Sequence, residues 1–142
     1  MFTLSKALMN KEIGFGVRVL QILENHGISW EHLPSGIDTL SLVMKSEDVR
    51  DSLDEVLEDL RVTCKPDTID VFTDMALVAT VGRGMMHIPG MAARLFAALA
   101  DAAVNIRMID QGSGELNIIV GVQASDFETA VRAIYRTFVQ DA

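Results

Sequence analysis

The sequence predicts an α+β protein made of two copies of one βαββαβ unit. Three observations carry that expectation: an internal repeat, strand-type and helix-type apolar patterns following one another in the same order in both copies, and Gly-containing joints at equivalent places. Setting Gly14 over Gly90 and running forward without a gap aligns GFGVRVLQILENHGISWEHLPSGIDTLSL with GMAARLFAALADAAVNIRMIDQGSGELNI. Identities fall at Gly14/Gly90, Arg18/Arg94, Leu23/Leu99, Gly36/Gly112 and Leu40/Leu116, and apolar character matches at Val19/Leu95, Leu20/Phe96, Ile28/Val104, Trp30/Ile106, Leu33/Ile109 and Leu42/Ile118.

Each copy opens with a short apolar run of strand type, Phe2 to Leu8 and Met75 to Val81, followed by a Gly-containing loop and a helical pattern. In the second copy Met91, Leu95, Leu99 and Ala102 recur at helical spacing; in the first, Gly27 stands where a helix stops. Two strands are expected next, Ile28 to Leu33 and Ile37 to Met44, joined by Pro34-Ser35-Gly36, with Gln111-Gly112-Ser113-Gly114 as the equivalent joint. A second helix follows in each copy, with apolar stripes Val49, Leu53, Val56, Leu57, Leu60 and Phe127, Ala130, Val131, Ile134, Phe138. The first copy then closes with a strand, Thr68 to Thr73, whereas the second copy reaches Ala142 directly after its helix, so its last strand is expected to be missing from this chain. The order is that of a ferredoxin-like split unit, with two helices on one face of an antiparallel sheet, and it divides the chain into 1-73 and 74-142.

Composition narrows the function classes. A hydrophobic fraction of 49% is ample for packed cores, and no apolar run approaches the roughly 18 residues of a membrane span. The N-terminus lacks the apolar stretch and cleavage site of a secretory signal, so a cytoplasmic location is expected. A formal charge of −8 argues against nucleic acid, whose phosphates attract Lys and Arg clusters, and suits a cationic small ligand. Cys64 is the single cysteine and reads as a small buried apolar residue. The histidines His26, His32 and His87 are scattered without an i, i+4 ligand pair, so no metal is expected. The acidic run of Asp48, Asp51, Asp54, Glu55, Glu58 and Asp59 reads as a solvated helix face, and no Walker phosphate loop occurs.

Three segments carry a family likeness: Met9-Asn10-Lys11-Glu12-Ile13-Gly14-Phe15-Gly16, His32-Leu33-Pro34-Ser35-Gly36-Ile37-Asp38, and Asn105-Ile106-Arg107-Met108-Ile109-Asp110-Gln111-Gly112. Together they resemble the paired ACT modules that follow the catalytic domain of aspartate kinases. The likeness covers nearly the whole chain and departs from the family in lacking a catalytic half. It implies a feedback sensor for aspartate-family amino-acid biosynthesis that binds an end product, lysine first and threonine next. The first module would receive the effector and the second would serve dimerisation and regulation. It also implies a homodimer, a catalytic domain of the parent kinase as partner, no cofactor and no kinase activity in this chain, with ATP confined to the absent catalytic domain.

The loop from Met9 to Gly16 joins the first strand to the first helix, which puts the amides of Gly14, Phe15 and Gly16 near a helix N-terminus, where unpartnered amides attract a carboxylate. Spacing alone favours the plainer reading of a tight turn. The family likeness favours the effector and implies Met9, Glu12, Phe15, Gly16, Ser29, Trp30 and Glu31 as its surroundings. Strand alternation sets Ser29 and Glu31 on one face, with Ile28 and Trp30 on the other, where Trp30 reads as core or interface. Glu31 and Asp38 are candidate partners for a lysine ammonium, or else a solvated edge and turn. The second-copy loop, Gly82 to Gly90, would hold another effector or contact a partner module. The chief rival is a ligand-free oligomerisation scaffold on the same fold; an enzyme would need a nucleophile and base in a matched loop, which the sequence does not offer.

Overall fold

The computed structural model describes residues 1–140 and divides the chain into two compact units, Met1–Thr73 and Asp74–Ala142. Each carries a three-stranded antiparallel sheet with helices.

In the first unit β1 (Phe2–Ser5) runs between β2 (Thr39–Leu42) and β3 (Thr68–Val71), with Leu4 opposite Leu40 on one side and Ile69 on the other. Alternation sends Phe2, Leu4, Leu40 and Leu42 into the core, while Thr3 and Ser41 meet through their hydroxyls at 3.1 Å on the opposite face. Helix α1 (Phe15–Asn25) covers the apolar face with Phe15, Val19, Ile22 and Leu23. It stops where Gly27 turns to φ +66: Gly27 N bonds Glu24 O and Ile28 N bonds Leu23 O, both at 2.9 Å, a Schellman end that glycine adopts without strain.

The expected single helix after β2 is two pieces, α2 (Ser46–Val49) and α3 (Leu53–Cys64), separated at Asp51-Ser52, residues that compete with helical backbone hydrogen bonding. Val56, Leu57, Leu60 and Cys64 of α3 complete the core, and the acidic run is solvent-exposed. Cys64 is 1% exposed and burial pushes its thiol pKa up.

The expected strand Ile28 to Leu33 does not form. Residues 31–36 run antiparallel to β2, but they hold it through isolated bridges, His32 to Val43 and Ser35 to Leu40. Ser41 N bonds Pro34 O at 2.8 Å, and Pro34 has no N–H to return the bond, so the ladder is interrupted there. At the start of the ribbon the amides of Glu31 and His32 both point at Val43 O, at 2.8 and 3.4 Å. Strands β1 and β3 are also shorter than the expected Phe2 to Leu8 and Thr68 to Thr73.

The second unit repeats the plan with β4 (Met75–Val81), α4 (Met91–Asp101), β5 (Met108–Asp110), β6 (Asn117–Gln123) and α5 (Phe127–Tyr135), followed by a π turn at Arg136–Gln140. Its strand order is β4-β6-β5, with β6 central. Leu95, Leu99, Ile118, Val120, Val122, Ala130 and Ile134 form the core. Of the stripe read from the sequence, Ala130 and Ile134 are buried as expected, whereas Phe127 and Val131 are 42% and 40% exposed.

Two substitutions test this packing. A Cβ on Gly121 would lie 2.9 Å from Met108 Cβ and 2.8 Å from Met75 Cε, so Gly121→Ala is expected to lower stability by about 1–3 kcal/mol in urea unfolding. Ala103, at φ +56, ends α4 with the bonds that Gly27 makes after α1, so Ala103→Gly is expected to raise stability by about 0.5–1 kcal/mol.

Candidate functional site

The loop between β1 and α1 is built from apolar anchors and polar clamps. Met9, in a 3-10 turn at Met9–Lys11, is 6% exposed and belongs to the core, as does Phe15 at 4%, so both hold the loop from inside. Leu8 adopts φ +58, an unusual conformation for a residue with a side chain. Its amide bonds Asp38 Oδ1 at 2.8 Å, and the preceding Ala7 amide bonds Asp67 Oδ2 at 2.8 Å. Lys6 N to Asp38 O and Asn10 N to Ile37 O tie the same segment to the turn before β2. Asp38 therefore serves as a loop clamp.

A charge cluster closes the other side. Glu12 accepts from Lys6 Nζ at 2.5 Å and from the Arg18 guanidinium, and both cations lie over the Phe15 ring, at 5.4 and 5.9 Å from its centroid. Lys6 Nζ also donates to Cys64 O at 2.8 Å, near the end of α3. The hydrogen bond from Lys6, aided by the charges of Lys6 and Arg18, holds the Glu12 carboxyl below the usual range against a smaller opposing effect of desolvation.

Gly14 caps α1 at φ +77, and Arg18 N bonds its carbonyl at 3.1 Å as the first helical bond. Phe15 N is engaged with Glu12 O at 3.3 Å; Gly16 and Val17 are the first-turn amides that a helix leaves without intrahelical partners. This arrangement can receive an anion through backbone N–H groups.

The remaining predicted residues do not join this loop. Ser29, Trp30 and Glu31 follow the Schellman turn and are exposed, Trp30 at 46%, so Trp30 is not a core residue. Glu31 N bonds Val43 O at the end of the ribbon away from Asp38. Four residue steps along the sheet, about 13 Å, separate those ends. The proximity of Glu31 to the loop expected from the sequence is absent within one chain, because the edge ribbon runs parallel to β1 and begins at the opposite end of the sheet. Sequence reasoning missed Lys6, Arg18 and Asp67. Arg18 carried a signal as a repeat identity, whereas Lys6 and Asp67 reach the loop by tertiary contacts with no local period.

In the second unit the loop keeps the frame and changes the chemistry. Met85 is buried like Met9, and Gly90 caps α4 at φ +89 like Gly14. Gly82 and Ile88 stand where Lys6 and Glu12 would be, and Arg94 donates to Thr137 O at 2.8 Å and lies 5.0 Å from the Phe138 ring centroid. His87 N bonds Glu115 Oε2 at 2.7 Å, and a shallow cleft of about 350 Å³ lies between this loop, the start of α4 and Gln111. Among the described residues no group of three or more His, Cys, Asp or Glu is placed to hold a metal, and no helix is long and apolar enough to cross a membrane.

The family model for the ACT domain matches residues 78–138, within the second of the two βαββ-based units. Over nearly its whole length the chain is homologous to the regulatory region of aspartokinases. It is 42% identical over 140 residues to Aspartokinase 3 of Bacillus subtilis, covering 95% of this chain and 30% of that protein. Aspartate kinase of Clostridium acetobutylicum superposes with a TM-score of 0.93 at 49% identity, over 96% of this chain and 32% of that one. The regulatory subunit of aspartate kinase from Thermus flavus matches with a TM-score of 0.82 at 26% identity, over 96% of this chain and 90% of its own. Aspartokinase III of E. coli, in complex with lysine and aspartate, matches with a TM-score of 0.79 at 26% identity, over 97% of this chain and 30% of that one. The chain thus spans about a third of the full-length kinases and most of a separate regulatory subunit.

The depressed pKa of Glu12 fixes the sign of a pH effect. Stability contributed by a carboxylate with a lowered folded pKa is present above its unfolded pKa and is lost as pH falls through the folded one. Glu12→Gln is therefore expected to melt at a lower temperature than the wild type at pH 7. The gap between the two melting temperatures should close as pH falls below the ordinary carboxylate range.

Proposed function

We propose that this chain is the amino-acid-sensing part of an aspartate kinase, which binds an end-product amino acid and passes its occupancy to a catalytic domain elsewhere in the parent protein. Lysine is the first-choice effector and threonine the second. The observation that carries the reading is the clamped β1–α1 loop, whose first-turn amides at Gly16 and Val17 suit an α-carboxylate. The lysine bound to the E. coli relative supports the choice of effector.

Glu12 and Asp38 are poor receivers for an ammonium, since one is occupied by Lys6 and Arg18 and the other by the Leu8 amide. Glu31 remains, at the far end of the ribbon, about 13 Å along the sheet from the end that meets the loop. Antiparallel pairing of two such edges about a two-fold axis would set Glu31 of one copy beside the loop of the other. The site is then shared between two chains, and the working form is at least a dimer. A ligand-free scaffold would use the same edge but has no need of the open first-turn amides at Gly16 and Val17.

Calorimetry of this 142-residue chain with lysine, threonine and methionine tests the reading. Lysine is expected to bind. Glu31→Ala is expected to weaken lysine by about 1.5–3 kcal/mol, the range for a hydrogen bond to a charged group, while leaving threonine much less affected. Equal lysine affinity in wild type and Glu31→Ala would remove the ammonium contact, and absence of heat with every amino acid would favour the scaffold. Light scattering at high concentration should show a dimer or larger; a monomer would contradict the shared site.

A further inference from the structure

The proposed loop contains a carboxylate of its own, flanked by two cations. Glu12 is bonded on both sides by cations, Lys6 and Arg18, so the trio carries one surplus positive charge. Arg18 reaches back to the helix start: its Nη1 donates to Ile13 O at 3.3 Å and would lie 3.5 Å from a Cβ on Gly14. Asp38 and Asp67 face the other end of the loop, with their carboxylates on the amides of Leu8 and Ala7. The second unit keeps the helix-capping glycine and the arginine but has neither the lysine nor the glutamate, and its arginine turns to Thr137 O and Phe138.

We propose that Lys6 and Arg18 are positioning residues that make the first-unit loop receptive to a carboxylate by neutralising Glu12 and leaving one positive charge beside the N-terminus of α1. This rests on the reading of that loop as the effector site and adds the residues that set its polarity. Lys6→Met leaves Glu12 balanced by Arg18 alone and removes the surplus. Adding Glu12→Gln to Lys6→Met restores it, because Arg18 is then the unopposed cation. A clamp that acted only by tying the loop to α3 through Cys64 O would behave differently, since the double variant has lost every bond that Lys6 made.

The test follows the backbone amides of Gly16 and Val17 by NMR in the full chain, titrated with lysine and, separately, with sodium acetate against a sodium chloride control. Lys6→Met is expected to weaken both by about three- to tenfold, the size of one charge removed at several ångströms in a partly solvated site. Lys6→Met/Glu12→Gln should return to near wild-type affinity, and Lys6→Arg should retain it. A folded double variant that binds as weakly as Lys6→Met would overturn the charge balance and leave Lys6 as a clamp. Unchanged affinity in Lys6→Met would overturn it outright. If wild type responds to acetate with this pattern but binds neither lysine nor threonine, the charge balance stands and the sensor reading fails.

Discussion

The burial of Met9 and Phe15 on either side of the β1–α1 loop is the constraint on which the rest of the site depends. Two apolar side chains in the core fix where the chain leaves β1 and where it enters α1. The residues between them, Asn10 to Gly14, must bridge those points in a short span, which leaves little freedom for the polar groups. Leu8 is held at positive φ, Glu12 is drawn under two cations, and the Lys6 ammonium reaches the end of α3. Hydrophobic burial thus supplies the accuracy and the charged groups supply the character. Surface ion pairs in isolation contribute little to stability, so the cluster adds modestly to a loop already fixed by its apolar anchors.

Much of the fold was legible because the strongest signals were nonlocal in sequence but regular in spacing. The repeat identified equivalent loops, and the 3.6-residue period of Leu95 and Leu99 placed α4 within its observed span. The errors have physical causes. Ile28 to Leu33 has the apolar content of a strand, but the neighbouring Pro34 withholds a donor from the ladder, and only bridges survive. Val49 fits the stripe of α3 in spacing, yet Asp51 and Ser52 interrupt the helix between them. Phe127 and Val131 are apolar at helical spacing but sit on the outward side of α5.

The site was less legible than the fold. A motif such as Lys11-Glu12-Ile13-Gly14-Phe15-Gly16 signals a loop and a helix start, but not which acidic residue is already satisfied. Glu12, Glu31 and Asp38 look alike in sequence, whereas in the structure one is an ion-pair centre, one a clamp on an amide and one exposed. Partnership is a tertiary property, set here by Lys6, Asp67 and Arg18 arriving from different elements. The two loops diverged by exchanging such partners while retaining the backbone, since Gly14 and Gly90 keep the same left-handed turn with different neighbours.

Pro34 has a mechanical consequence. The ribbon at residues 31–36 is fastened to β2 at His32 and Val43 and again near Gly36 and Thr39, with the single bond from Ser41 N to Pro34 O between. Bowing along its middle would cost that one bond and the packing of Leu33, which lies against the same core as Leu40 and Leu42. The rim is therefore held at its ends by backbone bonds and at its middle largely by a side chain, so a disturbance of the rim reaches the core through Leu33.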